Sequence, residues 1–240
     1  MKRYVILLAC VIGLLLPSLL APAMTVKATY KGKVATWRLP VTLGGTSYQL
    51  TNPLDLKVGK TTVGRLTSLS FGALEDPSLN LNFHIQADAD ANFTFDTGVL
   101  SFDELVNPRA FATAAATLTS DPDGATLKGN FAGNHAYEAT YNGGIVFADL
   151  IDPFSAIGNT SATQTDRLPP GIGFTTISGM VSSMRAQWNF NLTAGDGASG
   201  TSRFDIEPVE AVPDQGTIAL AFAGAVPLLA GGAMRRRRRS

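Results

Sequence analysis

The chain is nearly empty of sulfur nucleophiles and of imidazole: Cys10 is its one cysteine, and His84 and His135 are its two histidines. Cys10 lies in an apolar N-terminal run. Leu7-Leu8-Ala9-Cys10 comes too soon after Arg3, and too many apolar residues follow it, for that stretch to work as a lipoprotein box. With the run removed no cysteine remains, which excludes disulfides, thiolate zinc sites and a cysteine nucleophile. The two histidines stand far apart, with no His-Glu-x-x-His helix and no Gly-x-Ser-x-Gly elbow, so zinc-protease and serine-hydrolase signatures are missing too. No cofactor is expected. Charged residues make up only 16% of the chain, and no internal segment shows the period of an amphipathic helix. No repeat of fixed period occurs either, which argues against a solenoid or propeller.

Long apolar runs are confined to the two ends. At the N-terminus Lys2 and Arg3 precede Tyr4 to Leu20, and Ala21-Pro22-Ala23 puts small residues where a signal peptidase reads them, so residues 1–23 are expected to be a signal peptide cut after Ala23. At the other end Val212-Pro213-Asp214-Gln215-Gly216 leads into an uncharged span from Thr217 to Met234. Eighteen residues in helical rise cover about 27 Å, close to the hydrocarbon thickness of a bilayer. Arg235, Arg236, Arg237, Arg238 and Arg239 then act as a stop-transfer block that stays on the cytoplasmic side, leaving everything before Pro213 outside. As a permanent anchor the span is weak. Gly224, Gly231 and Gly232 contribute little transfer energy, and Pro227 interrupts the backbone ladder.

This tail resembles the PEP-CTERM family of sorting signals, in the variant whose motif begins Val-Pro-Asp. The residues that carry the likeness are Val212, Pro213, Asp214, Gly216 and Thr217, with Gln215 standing where the family has a small residue. The resemblance implies an exosortase as processing partner, a membrane-embedded transpeptidase that cuts near the proline motif and releases or re-attaches the exported part among surface polysaccharide. It implies an inner-membrane-anchored intermediate followed by a cell-surface or matrix location. It covers residues 212–240 and says nothing of what the rest does.

Between the two ends the charge is lopsided. Two basic residues lie in the signal and five in the tail, which leaves twelve against eighteen acidic ones from Met24 to Ala211. A net charge near −6 disfavours nucleic acid and anionic lipid as partners of this segment. Period-two alternation recurs along it. Leu79, Leu81, Phe83 and Ile85 alternate with Asn80, Asn82, His84 and Gln86, and Ala186, Trp188, Phe190 and Leu192 alternate with Gln187, Asn189 and Asn191. Turn dipeptides such as Gly59-Lys60, and the Asn142-Gly143-Gly144 run, separate the short runs. Ala110 to Ser120 reads as a strand in spite of its alanines, Asp121-Pro122-Asp123-Gly124 as a hairpin turn, Asp152 to Gly173 as a surface loop, and Ala194 to Thr201 as a glycine-rich turn. The expectation is an all-β fold of ten to thirteen strands. It is an antiparallel β-sandwich or jelly-roll-like ectodomain over 24–206, with a linker at 207–211, flanked by an N-terminal signal helix and a C-terminal transmembrane helix.

Candidates for chemistry are few. Asp121 with Asp123, and Asp88 with Asp90, place oxygens at alternate turn positions as a calcium loop does, but Pro122 and the lack of a closing glutamate break the EF-hand pattern, and such residues also serve metal-free turns. Asp103-Glu104 and Glu138 are the carboxylates that a hydrolase would pair across a cleft. Trp37, Asn82 and His84 are the candidates for a glycan surface, with a ring for stacking and amides that donate and accept. No metal and no catalytic residue is expected. The reading is a non-enzymatic structural or adhesive surface protein, with a glycan-binding module of the same matrix as the alternative and a carboxylate-dependent hydrolase as the third.

Overall fold

The computed structural model describes residues 24–39, 47–74 and 76–209. The expected signal peptide with Ala21 and Ala23, the Val-Pro-Asp motif, the apolar span and the arginine block all lie outside the described residues. The compact unit that the described residues form ends at Glu207. No helix among the described residues is long and apolar enough to cross a membrane.

The strands follow one another at short intervals. They begin with β1 (Thr25–Tyr30), β2 (Lys33–Arg38), β3 (Ser47–Gln49), β4 (Leu54–Val58), β5 (Thr61–Leu74) and β6 (Ser78–Ala87). Next come β7 (Ala91–Asp96), β8 (Leu100–Val106), β9 (Arg109–Thr119), β10 (Ala125–Gly129), β11 (Tyr137–Tyr141) and β12 (Ile145–Leu150). The chain continues with β13 (Phe154–Ala156), β14 (Ser161–Leu168), β15 (Thr175–Thr176), β16 (Met180–Leu192) and β17 (Gly197–Glu207). A single 3-10 turn, Ala132–Asn134, is the one helical piece among the described residues.

All pairings are antiparallel, and the strands form two sheets. The first runs β12-β11-β16-β7-β1-β2, with β8 and β10 also on β16 and β13 on β10. The second runs β14-β9-β17-β6-β5-β3, with β15 on β9 and β4 on β5. Two-residue connections close the tightest hairpins because their residues accept a left-handed backbone. Lys31 and Gly32 (φ 48° and 73°) join Tyr30 to Lys33, as the primed hairpin turns require.

The sheets pack face to face over one core. Phe83 of β6 stacks on Phe95 of the facing sheet at 4.1 Å, lies 5.6 Å from Phe190, and meets the Trp188 ring edge-on at 5.4 Å. Farther along, Phe147 of β12 stacks on Phe204 of β17 at 5.3 Å. Across the gap the buried Trp188 Nε1–H donates to Ser202 Oγ at 3.0 Å, so the indole is desolvated without losing its hydrogen bond. The rows expected to face inward on β6 and β16 are all buried, and the alanines of β9 at 110, 112, 114 and 116 form a buried strand row.

Three local expectations are corrected. The stretch from Asp152 to Gly173 is not a continuous loop but contains β13 and β14, and β14 pairs with β9 over eight residues from Ser161 to Leu168. As an edge strand it carries hydroxyl, amide and charged side chains, with Ala162 and Leu168 its only apolar residues, so periodicity could not reveal it. The Asp121–Gly124 turn does not close a hairpin. It carries the chain from β9 in one sheet to β10 in the other. The glycine-rich segment is a turn only as far as Asp196, since Gly197 to Gly200 belong to β17, where Gly200 lies directly opposite Phe83.

Candidate functional site

The outer face of the first sheet carries a connected chain of amides. β16 sends Gln187, Asn189 and Asn191 outward because Ala186, Trp188, Phe190 and Leu192 fill the core. Pairing then places Asn92 of β7 opposite Asn191, and Lys128 of β10 on its other side. Asn92 Nδ2 donates to Asn189 Oδ1 at 2.7 Å and to the Phe190 carbonyl at 3.0 Å. Asn130 Nδ2 donates to the same Asn189 oxygen at 3.1 Å, and Asn191 Nδ2 donates to Asn130 Oδ1 at 3.1 Å. Beside this chain lies a depression of about 340 Å³ lined by Thr29, Asn92, Thr126, Asn191 and Thr193, with Asp90 as the one carboxylate. Each amide spends part of its capacity on a neighbour. That fixes its orientation and leaves further donor and acceptor positions toward solvent, able to exchange hydrogen bonds with an uncharged polar group.

The expected glycan residues are not brought together. Asn82 and His84 lie on the outer face of the second sheet, where Asn82 Nδ2 donates to Ser70 Oγ at 3.1 Å and His84 Nδ1 sits 2.8 Å from Ser199 Oγ. Trp37 belongs to β2 of the other sheet, directly opposite the buried Val26, and packs half-buried against the core. It therefore offers no free ring beside those amides, and Trp188 is wholly buried.

The two aspartate turns lean on one loop, Thr193 to Asp196. Asp90 Oδ1 accepts from Ala194 N at 2.9 Å, Asp196 Oδ1 accepts from Asp121 N at 3.2 Å, and Asp121 Oδ1 accepts from Asp123 N at 3.1 Å. Hydrogen bonding to Asp121, and then its charge, raise the pKa of Asp123. Asp88 meets the Val63 carbonyl through its backbone N–H at 3.0 Å. These oxygens hold backbone N–H groups, Asp121 within its own turn and Asp90 and Asp196 from one turn to the next. Among the described residues no three His, Cys, Asp or Glu side chains converge as a metal site would require.

Glu138 does not meet Asp103 or Glu104. The latter lie on β8, beside the start of β16, whereas Glu138 of β11 stands opposite Gln187 in β16 and Asp149 in β12. Burial raises the pKa of Glu138, the Asp149 charge adds to it, and Arg185 opposes both; burial also raises Asp149, against the His135 charge. Arg185 is itself held by Asp96 in a two-point contact, Nε to Oδ1 at 2.9 Å and Nη2 to Oδ2. Glu138 and Asp149 sit on an outer sheet face. Neither the 340 Å³ depression nor a smaller one of about 90 Å³ beside Thr140 and Gly143 is lined by a carboxylate pair. His135 Nε2 lies 3.0 Å from Asp152 Oδ1, and its Nδ1 lies 2.5 Å from the Ala132 carbonyl, which ties the ring into its own loop.

No protein family and no curated protein matches the chain. Among solved structures, the enzymatically active domain of bacteriophage CBA120 tailspike protein 4 is similar at 16% identity over 67% of this chain and 19% of its own, with a TM-score of 0.27. The C-terminal CBM6 of a laminarinase from Zobellia galactanivorans is similar at 10% identity over 64% of this chain and 99% of its own, TM-score 0.18. A CBM4 structure is similar at 11% identity over 71% of this chain and 100% of its own, TM-score 0.21. At such scores the likeness bears on neither fold nor activity.

Proposed function

We propose that the chain is an exported, non-enzymatic surface or matrix protein of adhesive type, whose β-domain holds neutral polysaccharide at the amide-lined depression of its first sheet. The observation that carries this reading is the chain Asn92, Asn189, Asn130, Asn191 beside that depression. Without an aromatic platform the contact rests on hydrogen bonds exchanged with water, so a single site binds weakly, with Kd on the order of millimolar. Weak sites suit a matrix protein, where many copies act along one polymer. Affinity electrophoresis in gels containing neutral or carboxylated polysaccharide tests the site. Retardation is expected in the neutral gel and lost in an Asn92→Ala/Asn191→Ala variant, while retardation that is indifferent to both changes removes the proposal.

The delivery route in this proposal is a signal peptidase cut after Ala23, transient anchoring by residues 217–234, and processing by an exosortase-type enzyme at Val212 to Thr217. Its support is the order of motif, span and arginines in the sequence, together with Pro213, which by sequence disfavours helix at the residue before it, as suits a segment that must enter a protease cleft. Mass spectrometry of the mature protein from its native cells should find an N-terminus at Met24 and a C-terminus at or near the motif. Intact peptides reaching Met234 in the mature pool argue instead for a plain anchor.

A further inference from the structure

The chain enters and leaves the sandwich at the same end. β1 starts at Thr25, opposite Asp96 at the finish of β7 and Arg38 at the finish of β2. β17 finishes at Glu207, which pairs with Arg109 at the start of β9 and binds it at 2.6 Å. The two sheets are tied together at this end. Ile177 N donates to the Pro108 carbonyl at 2.8 Å, Asn107 N donates to the Gly179 carbonyl at 2.7 Å, and Met180 at the start of β16 pairs with Val106.

Exposed apolar side chains gather there as well. Leu74, Val106, Ile172, Phe174 and Met180 stand exposed toward this end, Val34 and Ile157 lie away from it, and Ile145 and Val146 lie level with Met184 and Arg185 of β16. Val106 is 65% exposed, Met180 58% and Ile172 fully exposed. Ile172 crowns the Pro169–Phe174 loop, which is held in place from below: Phe174 meets Phe111 edge-on at 4.9 Å, Arg167 covers Phe111 at 4.3 Å, and Arg109 lies 5.3 Å from the Phe174 ring. Isolated exposed hydrophobics need no explanation, but a one-sided collection at the point of chain exit does.

We infer that this end of the domain rests on the phospholipid bilayer while the tail is still attached, with Ile172 and its neighbours entering the headgroup and acyl boundary. The inference rests on the reading of residues 217–234 as a membrane span. Chain length supports this occupant. Nine residues, Pro208 to Gly216, separate Glu207 from the span, and fully extended they reach at most about 30 Å. Amphipathic surface of this kind settles roughly 5–10 Å into the boundary, which the tip of a rigidly held loop can reach. The carboxylates of this end are divided: Glu207 and Asp205 are held by Arg109 and Arg203, while Asp103 and Glu104 stand exposed on β8 just before Val106.

The scarcity of cysteine supplies the test. The full chain with Cys10→Ser and either Ile172→Cys or Ile157→Cys is labelled with an environment-sensitive fluorophore and reconstituted into zwitterionic phosphatidylcholine vesicles, with and without doxyl-labelled lipid. Flotation with the vesicles checks the span. The expected result is flotation of both proteins, with a blue-shifted and doxyl-quenched signal at 172 and a solvent-like, unquenched one at 157. Flotation with equal, unquenched signals overturns the inference and leaves the span standing, whereas failure to float removes both. A blue shift at 172 that grows with protein density and ignores doxyl lipid identifies a second copy of the chain as the occupant and overturns the bilayer reading.

Discussion

Gly200 has no side chain because Phe83 occupies the space a side chain would need, and this makes a sharp prediction about the core. The two residues face each other across β17 and β6, and a Cβ added at Gly200 would fall within the envelope of the Phe83 ring. That ring is the hub of the aromatic cluster, touching Phe95, Phe190 and Trp188. Phe83→Ala removes it and should cost about 3–5 kcal/mol. Gly200→Ala alone overpacks the same spot and should cost about 1–3 kcal/mol. If the costs were independent, the double variant would lose roughly 4–8 kcal/mol, near or beyond the stability of an ordinary domain. The new methyl, however, enters the space the ring has left. The double variant should therefore be no less stable than Phe83→Ala, a favourable coupling of about 1–3 kcal/mol. Urea and thermal unfolding followed by circular dichroism read this directly, at about 2–4 °C of Tm per kcal/mol for a domain of this size. Should Phe83→Ala not fold, the same cycle runs with Phe83→Leu. Additive losses would refute the claim that Gly200 is there to seat the ring.

Glu138→Gln should raise Tm at pH 7, by an amount corresponding to roughly 0.2–1 kcal/mol, because Glu138 and Asp149 are like charges placed directly opposite. Both pKa values are raised, so the folded state holds these protons more tightly and the parent loses stability as pH climbs from the ordinary carboxylate range through the raised values. The gain should vanish below about pH 4, and a variant that melts lower than the parent at neutral pH contradicts the argument. Ser202→Ala should cost about 1–3 kcal/mol in chemical denaturation, since it strips the buried Trp188 N–H of its acceptor, and a neutral result would mean that another acceptor takes over. Chelator should shift Tm by less than about 2 °C, because the Asp90, Asp121 and Asp196 oxygens already hold backbone N–H groups; a larger shift would make them ligands.

What was legible in the sequence follows from how each strand is buried. β6 and β16 have one face in the core and one in water, so alternation marks both their existence and their inner rows. β14 has no apolar row to betray it, and only its eight-residue pairing with β9 makes it a strand. Gly197 to Gly200 look like a turn because glycine and small residues usually are one, yet in β17 the missing side chain is a packing requirement set by Phe83, more than a hundred positions away in the chain. The candidate site divides the same way. Gln187, Asn189 and Asn191 are visible as the polar half of an alternating strand, whereas Asn92 and Asn130 join them only through strand pairing and side-chain contact. Trp37, Asn82 and His84 fail as a group for the converse reason: each has plausible chemistry, but β2 and β6 belong to different sheets. In a two-sheet fold residue type nominates a surface and pairing decides its membership. A site built from outward amides can therefore be read from sequence one strand at a time, and its neighbours across the strand only from the register.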